Sequence, residues 1–324
     1  MDAYYEFERP ITNLEKKISD LREMSVQEKM DFSTEIGALE KKLELLIGEV
    51  YTNLTPWQRV QLSRHPQRPY AEDYINLIFT DFQELHGDRK FRDDAAIIGG
   101  LARFRDQPVL VIGQQKGRGT KEKMKRNFGM VKPEGYRKAI RLMEMAARFS
   151  IPIVTLVDTP GAYPGIDAEE RGQSEAIADS IMRMFNLPVP VVTVVIGEGG
   201  SGGALAIAVA DKVLMQEFST YSVISPESCA SILWSDSAMC EQAAKVLKLS
   251  APEVKGLGVV DDIVREPQGG AHRNHEEAAT LLGNSISRHL EQLMPKDGAE
   301  LVKERIARFR KMGTDYIVSA ELDR

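Results

Sequence analysis

The part of the 324-residue chain best suited to chemistry is Val192 to Ala210, which reads VTVVIGEGGSGGALAIAVA. Its glycines, Gly197, Gly199, Gly200, Gly202 and Gly203, fall between an apolar strand pattern and an apolar helix pattern. Glycine lets the backbone approach a bound group closely, and the first N–H groups of a helix have no intrahelical acceptor. The combination predicts a cradle for an anion or a developing oxyanion. Two other patterns overlap it. Gly197, Gly199 and Gly202 satisfy G-x-G-x-x-G, with Glu217 ending the next strand where a ribose-binding acid would lie. Against a dinucleotide, the following helix is short and Glu198 brings negative charge toward a pyrophosphate. Gly199 to Gly203 also satisfy G-x-S-x-G around Ser201, the elbow of serine hydrolases. That reading needs a later acid and then a histidine. Asp261 and Asp262 precede His272, His275 and His289, but these histidines fall in a polar stretch.

A second turn, Val154 to Gly165 (VTLVDTPGAYPG), breaks another apolar strand at Pro160-Gly161 and Pro164-Gly165. Alone it describes a tight surface turn. Beside the first it means more, because ligands bind beyond the carboxyl ends of neighbouring parallel strands. A third feature is the basic stretch from Gln114 to Arg141, in which Lys116, Arg118 and Arg126 are candidates for an anionic ligand such as coenzyme phosphates or a carboxylate. A solvated basic face is the competing account. The five histidines show no metal-ligand spacing, and no metal is expected in this chain.

The elements that must position these turns follow from hydrophobic periodicity. Leu14, Ile18, Leu21 and then Ile36, Leu39, Leu43 and Leu46 recur at helical spacing, predicting a helical hairpin or broken helix from Ile11 to Tyr51. Ala95 to Phe104 and Pro108 to Gly113 read as a β-hairpin, Glu134 to Ser150 as a helix, and Pro152 to Val157 as a buried strand. A helix over Ala168 to Phe185, strand Val189 to Ile196, helix Gly203 to Ala210 and strand Lys212 to Glu217 follow. YSVISPE predicts a strand and then a helix opening at Pro226. Continuous apolar strands separated by helices indicate an α/β architecture with parallel pairing. The predicted division is a helical region 1–55, an α/β domain 56–266 and a helical region 267–324.

Composition sets the outer bounds. A net charge of −6 gives no global pull toward nucleic acid or acidic membranes. Cys229 and Cys240, the only cysteines, can neither staple the fold nor supply four zinc ligands. MDAYYEFERP lacks the form of a secretory signal, and no apolar run approaches the roughly 20 residues of a membrane span, so a cytoplasmic protein is expected.

Taken together, HGDRKFRDD (86–94), GQQKGR (113–118), RNFGMVKPEGYRKA (126–139), VDTPGAYPG, ERGQSEAIA (170–178), IGEGGSGGALA and YSVISPE resemble the carboxyltransferase alpha-subunit family of bacterial acetyl-CoA carboxylases. The resemblance implies a crotonase-like superhelix of β-β-α units with helical extensions at both ends. It implies transfer of a carboxyl group from carboxybiotin, borne on a biotin carboxyl carrier protein, to acetyl-CoA, giving malonyl-CoA for fatty acid synthesis. It further implies an α2β2 heterotetramer with a beta subunit that carries the only zinc, and biotin carboxylase, which uses ATP, in the wider complex. By position, Gly161, Ala162, Gly202 and Gly203 match the family's oxyanion-stabilising turns.

Overall fold

The computed structural model describes residues 5–28 and 31–314. Residues 1–4 and 29–30 of the predicted N-terminal region, and 315–324 of the C-terminal one, lie outside the described residues. The predicted hairpin is two helices, α1 (Arg9–Glu28) and α2 (Ser33–Thr52). Helix α3 (Pro56–Ser63) opens on a capping box in which Thr55 and Gln58 satisfy each other's backbone N–H groups. Helix α4 (Ala71–Ile78) leads into β1 (Thr80–Glu84), followed by the predicted hairpin β2 (Ile97–Phe104) and β3 (Gln107–Gln114).

The basic stretch folds as a short helix α5 (Gly119–Lys125) and the start of α6 (Pro133–Arg148). Strand β4 (Ile153–Thr159) follows. The helix expected over Ala168 to Phe185 is instead α7 (Ile166–Glu169) and α8 (Gln173–Phe185), parted at Gly172, whose φ of 79° belongs to the left-handed region. Strand β5 (Val191–Gly200) runs into α9 (Ser201–Leu205), shorter than the helix expected over Gly203 to Ala210. Then come β6 (Lys212–Gln216), β7 (Thr220–Ser222), α10 (Pro226–Trp234), α11 (Cys240–Leu247), α12 (Ala251–Gly256) and β8 (Asp262–Val264). Helices α13 (His275–Leu293) and α14 (Gly298–Lys311) complete the described chain.

One sheet carries the order β1-β2-β3-β4-β5-β6-β8. The pairs β1–β2 and β2–β3 are antiparallel, and every later neighbour is parallel. Alternate residues of β4 and β5 face two different cores, which is why these strands read as unbroken apolar runs. Ile153, Val157, Val191 and Val195 pack with Tyr136, Leu142 and Met184 from α6 and α8. Val154, Leu156, Val192 and Val194 pack with Tyr74, Leu282 and Ile286 from α4 and α13. Near its end β5 changes neighbour: Val192–Val195 pair with β6, whereas Glu198–Gly200 pair with β7. That change opens the sheet where the glycine turn begins. Among the described residues, no helix is long and apolar enough to cross a membrane.

Candidate active site

The two glycine turns lie side by side at the carboxyl ends of β4 and β5. Thr159 is in register with Gly199, and the chains then bend together. A side chain at Gly203 would put its Cβ 2.5 Å from both the Ala162 nitrogen and the Gly161 carbonyl carbon. At Gly200 a Cβ would fall 2.2 Å from the Pro160 carbonyl oxygen. Real Cβ atoms do not tolerate such distances to backbone, so these positions are glycine because one turn rests on the other. Ser201 between them takes a φ of 54°, an uncommon conformation for a residue with a side chain.

Individual amides differ in what they can offer. The Gly161 N–H donates to the Thr159 hydroxyl at 3.1 Å, and that hydroxyl donates to the Gly161 carbonyl at 2.7 Å. Thr159 therefore fastens the first turn and occupies one of its two candidate donors, leaving Ala162. The Tyr163 N–H donates to the Val131 carbonyl at 3.1 Å, holding the turn's far side. The Gly202 and Gly203 amides open α9, where helix geometry supplies no intrahelical acceptor. Gln114 braces the second turn from β3: its Nε2 donates to the Gly203 carbonyl at 2.7 Å, while its Oε1 accepts the Asp158 N–H at 3.2 Å. Beside Ser201 and Gly202 opens a cavity of about 340 Å³, walled chiefly by Leu205, Tyr221, Val223, Leu257 and Val259.

The three cations singled out in the basic stretch all have carboxylate partners within the chain. Lys116 Nζ lies 2.7 Å from Asp158 Oδ1 and 2.7 Å from Glu198 Oε2. Arg118 meets both Asp73 carboxylate oxygens at 3.0 and 2.8 Å and stacks 4.7 Å from the Tyr70 ring centroid. Arg126 pairs with Glu122 and Glu72 and donates to the Ala95 carbonyl. To hold an anionic ligand, each would have to share or release these partners. Arg118, with 45% of its side chain exposed, is the one an anion reaches without entering the protein.

Burial alone would depress the Lys116 ammonium, but Asp158 and Glu198 outweigh it and hold it above the usual lysine range. For Glu198 burial acts upward, and Lys116 and Arg64 outweigh it, leaving its carboxyl below the ordinary value. Arg64 bonds Glu198 on one side and Glu227, from the SPE motif at the start of α10, on the other. This network was not legible in the sequence, because its members are far apart along the chain.

The rival patterns lack their required geometry. Among the described residues Ser201 has no hydrogen bond to a histidine: His65 accepts from Gln67, His86 meets Asp93, His272 meets Glu8, His275 meets the Gln67 carbonyl and His289 approaches Asp262. For a dinucleotide, α9 is too short to present a sustained helix dipole, and the Glu198 carboxylate stands at the end of β5, just before the turn. Glu8, His65 and His272 bring ligand-type atoms within 4.8 Å of one another. His65 Nδ1 accepts the Gln67 N–H at 3.2 Å. Glu8 and His272 are bonded to each other at 3.2 Å, and the Tyr51 hydroxyl donates to Glu8, so the cluster pins the N-terminal helices to the body of the chain.

Residues 4–313 match the family profile described as acetyl co-enzyme A carboxylase carboxyltransferase-like. The acetyl-coenzyme A carboxylase carboxyl transferase subunit alpha of Geobacter metallireducens is 57% identical over 307 residues, covering 95% of this chain and 96% of that protein. The subunit of the same name from Geobacillus kaustophilus is 54% identical over 313 residues, covering 97% and 96%. Among solved structures, transcarboxylase 12S matches with a TM-score of 0.59 at 21% identity, over 71% of this chain and 42% of its own. The beta subunit of P. aeruginosa geranyl-CoA carboxylase matches with a TM-score of 0.53 at 18% identity, over 74% and 46%. This chain thus spans less than half the length of either solved chain, and at those identities the likeness concerns the fold alone.

Proposed function

The chain belongs to the acetyl-CoA carboxylase carboxyltransferase alpha-subunit family, and from that premise we propose that its two glycine turns hold the negative charge that develops during carboxyl transfer. The reaction takes a carboxyl group from carboxybiotin to acetyl-CoA and yields malonyl-CoA. In our reading the N–CO2 bond of carboxybiotin breaks, leaving CO2 and a ureido anion. The ureido nitrogen takes a proton from the acetyl methyl group, the thioester becomes an enolate, and the enolate carbon attacks CO2. Charge resides first on the ureido oxygen and then on the enolate oxygen, and both need donors already in place.

We assign that role to the amides of Ala162, Gly202 and Gly203, with Gly161 shaping the first turn through Thr159. The contact of Gly203 with the Gly161–Ala162 peptide is the observation that carries the assignment. The apolar cavity beside Gly202 suits the fused rings of biotin, so this subunit holds mainly biotin and its partner mainly the acyl thioester. Arg118 is the candidate of the basic stretch for a phosphate or carboxylate arriving from solvent. The name alpha subunit entails a beta partner. An α2β2 assembly, zinc confined to that partner, docking of a biotin carboxyl carrier protein and biotin carboxylase, and a cytoplasmic setting complete the proposal.

The test is Gly203→Ala in a complex assembled with the beta subunit, assayed for carboxyl transfer from malonyl-CoA to biotin. A methyl here must displace the Gly161–Ala162 peptide, and losing one oxyanion donor lowers kcat by about 100- to 1,000-fold. An assembled Gly203→Ala complex with unchanged kcat removes the turns from the chemistry.

A further inference from the structure

Lys116, Asp158 and Glu198 stand at the carboxyl ends of three adjacent parallel strands. Lys116 follows β3, Asp158 is the penultimate residue of β4 and Glu198 lies in the last part of β5. The Lys116 ammonium touches both carboxylates at 2.7 Å, and Asp158 Oδ1 also accepts the Glu198 N–H at 3.0 Å. Each acid directly precedes one of the glycine turns. The lysine stem is packed just as closely: a Cβ at Gly129, in the RNFGM motif, would fall 2.7 Å from Lys116 Cγ and 3.3 Å from the Asp158 carbonyl oxygen. At Gly197 a Cβ would fall 2.4 Å from Asp158 Oδ1. Lysine, acids and glycines thus form one close-packed layer beneath the turns.

We propose that Lys116 is a positioning residue for carboxyl transfer, its ammonium fixing the separation of the two glycine turns through Asp158 and Glu198 rather than binding substrate. The inference rests on the reading of the turns as the charge-holding site. Its electrostatic logic follows from what surrounds the acids. Arg64 remains on Glu198 if the lysine is lost, itself shared with Glu227. Arg68, in the loop between α3 and α4, acts on Asp158 but is bound bidentately by buried Glu266. Tyr5, Tyr70 and Tyr74, the other titratable neighbours, are held above the usual tyrosine range by burial and stay neutral. Among the described residues, Asp158 would therefore be left without a cation of its own. Burial already pushes its carboxyl upward, so it is the group that takes a proton when Lys116 is removed.

The experiment compares Lys116→Met, Lys116→Met/Asp158→Asn and Gly203→Ala in purified complexes with the beta subunit, using malonyl-CoA and biotin from pH 6 to 8.5. Rates are expressed per assembled complex. For Lys116→Met, kcat falls ~100-fold at pH 8, the scale of loss for a misplacement near 1 Å. The KM for malonyl-CoA stays within about threefold, because no substrate contact has been removed. Its kcat recovers toward pH 6 as Asp158 is protonated, and no such recovery occurs in the wild type. In the double variant the asparagine keeps the acceptor for the Glu198 N–H without the charge, so kcat returns to within about tenfold of wild type and the acid-side recovery disappears. Wild-type kcat in Lys116→Met overturns the proposal. So does a raised KM with intact kcat, which makes the lysine a ligand, and so does a double variant that stays inactive or fails to assemble. If Gly203→Ala is inactive while Lys116→Met is normal, the brace fails alone; if Gly203→Ala is also normal, the reading of the turns fails with it.

Discussion

At the scale of single residues, this protein puts ionisable groups into the interior and gives each a partner. Glu8 is fully buried at the foot of α1, accepting from the Tyr51 hydroxyl, the Tyr5 N–H at 3.1 Å and His272 at 3.2 Å. Burial pushes its carboxyl up, but His272, Tyr51 and the Tyr5 amide outweigh this and hold it at about 2, below the usual value of 4.5. A carboxylate whose pKa is depressed on folding stabilises the native state fully above its unfolded value, and that contribution is lost as pH falls through the folded value. Glu8→Gln should therefore melt below wild type at pH 7, with the gap closing between about pH 4.5 and pH 2. Thermal melts of both proteins at pH 7 and near pH 3 check this, and a gap of constant size would show that Glu8 acts by shape alone. Glu8, Lys116 and Asp158 also mark what sequence could not convey. The glycine turns announced themselves by composition, whereas the Lys116 pairing joins residues 82 positions apart at Glu198 and had no local signal. The basic stretch read equally as an anion site or a solvated face, and the carboxylates that Lys116, Arg118 and Arg126 meet across the fold had no local signal.

At the scale of elements, legibility followed burial. Strands β4 and β5 are apolar on both faces and stood out, and the helix expected over Glu134 to Ser150 is α6, which buries Ile140 and Met143. Strand β1 (TDFQE) is an edge strand with mostly exposed side chains, so no alternation marks it, and β8 is only three residues long. The C-terminal helices read as helices, but their attachment did not. Arg305 of α14, 1% exposed, bonds both oxygens of Asp211 at 2.9 and 2.7 Å and donates to the carbonyls of Met184, Leu187 and Val189. One guanidinium thus ties α14 to the end of α8, to the loop before β5 and to the residue that precedes β6. Arg305→Ala leaves Asp211 buried without its cation and three carbonyls without a donor, a loss expected to cost about 3–5 kcal/mol. Urea unfolding measures it, and a change below about 1 kcal/mol would mean that water replaces the arginine at little cost.

At the scale of the whole molecule, the parts are attached with unequal strength. Two extensive cores grip the sheet from either face, and the turns stand on that sheet. The α1–α2 hairpin rests on a much smaller cluster of Ile11, Ile47, Tyr51, Leu54, Leu62 and Phe218, supplemented by Glu8 with His272 and by Arg273 with Glu15. Farther out the hairpin is open, with Val26 81% and Leu45 76% exposed. Elements with few buried apolar contacts open by local unfolding at a lower free energy than the core they are joined to. Ile11 is fully buried at the centre of the small cluster, so Ile11→Ala removes packing worth about 2–5 kcal/mol. If the hairpin opens by itself, that loss appears only in the hydrogen exchange of α1 and α2, and the amides of β4 and β5 keep their protection. Should β4 and β5 lose protection by the same amount, the hairpin and sheet unfold as one unit. In the first case the glycine turns, seated on the sheet, retain their geometry while the hairpin moves, and carboxyl transfer by the Ile11→Ala complex continues at the wild-type kcat.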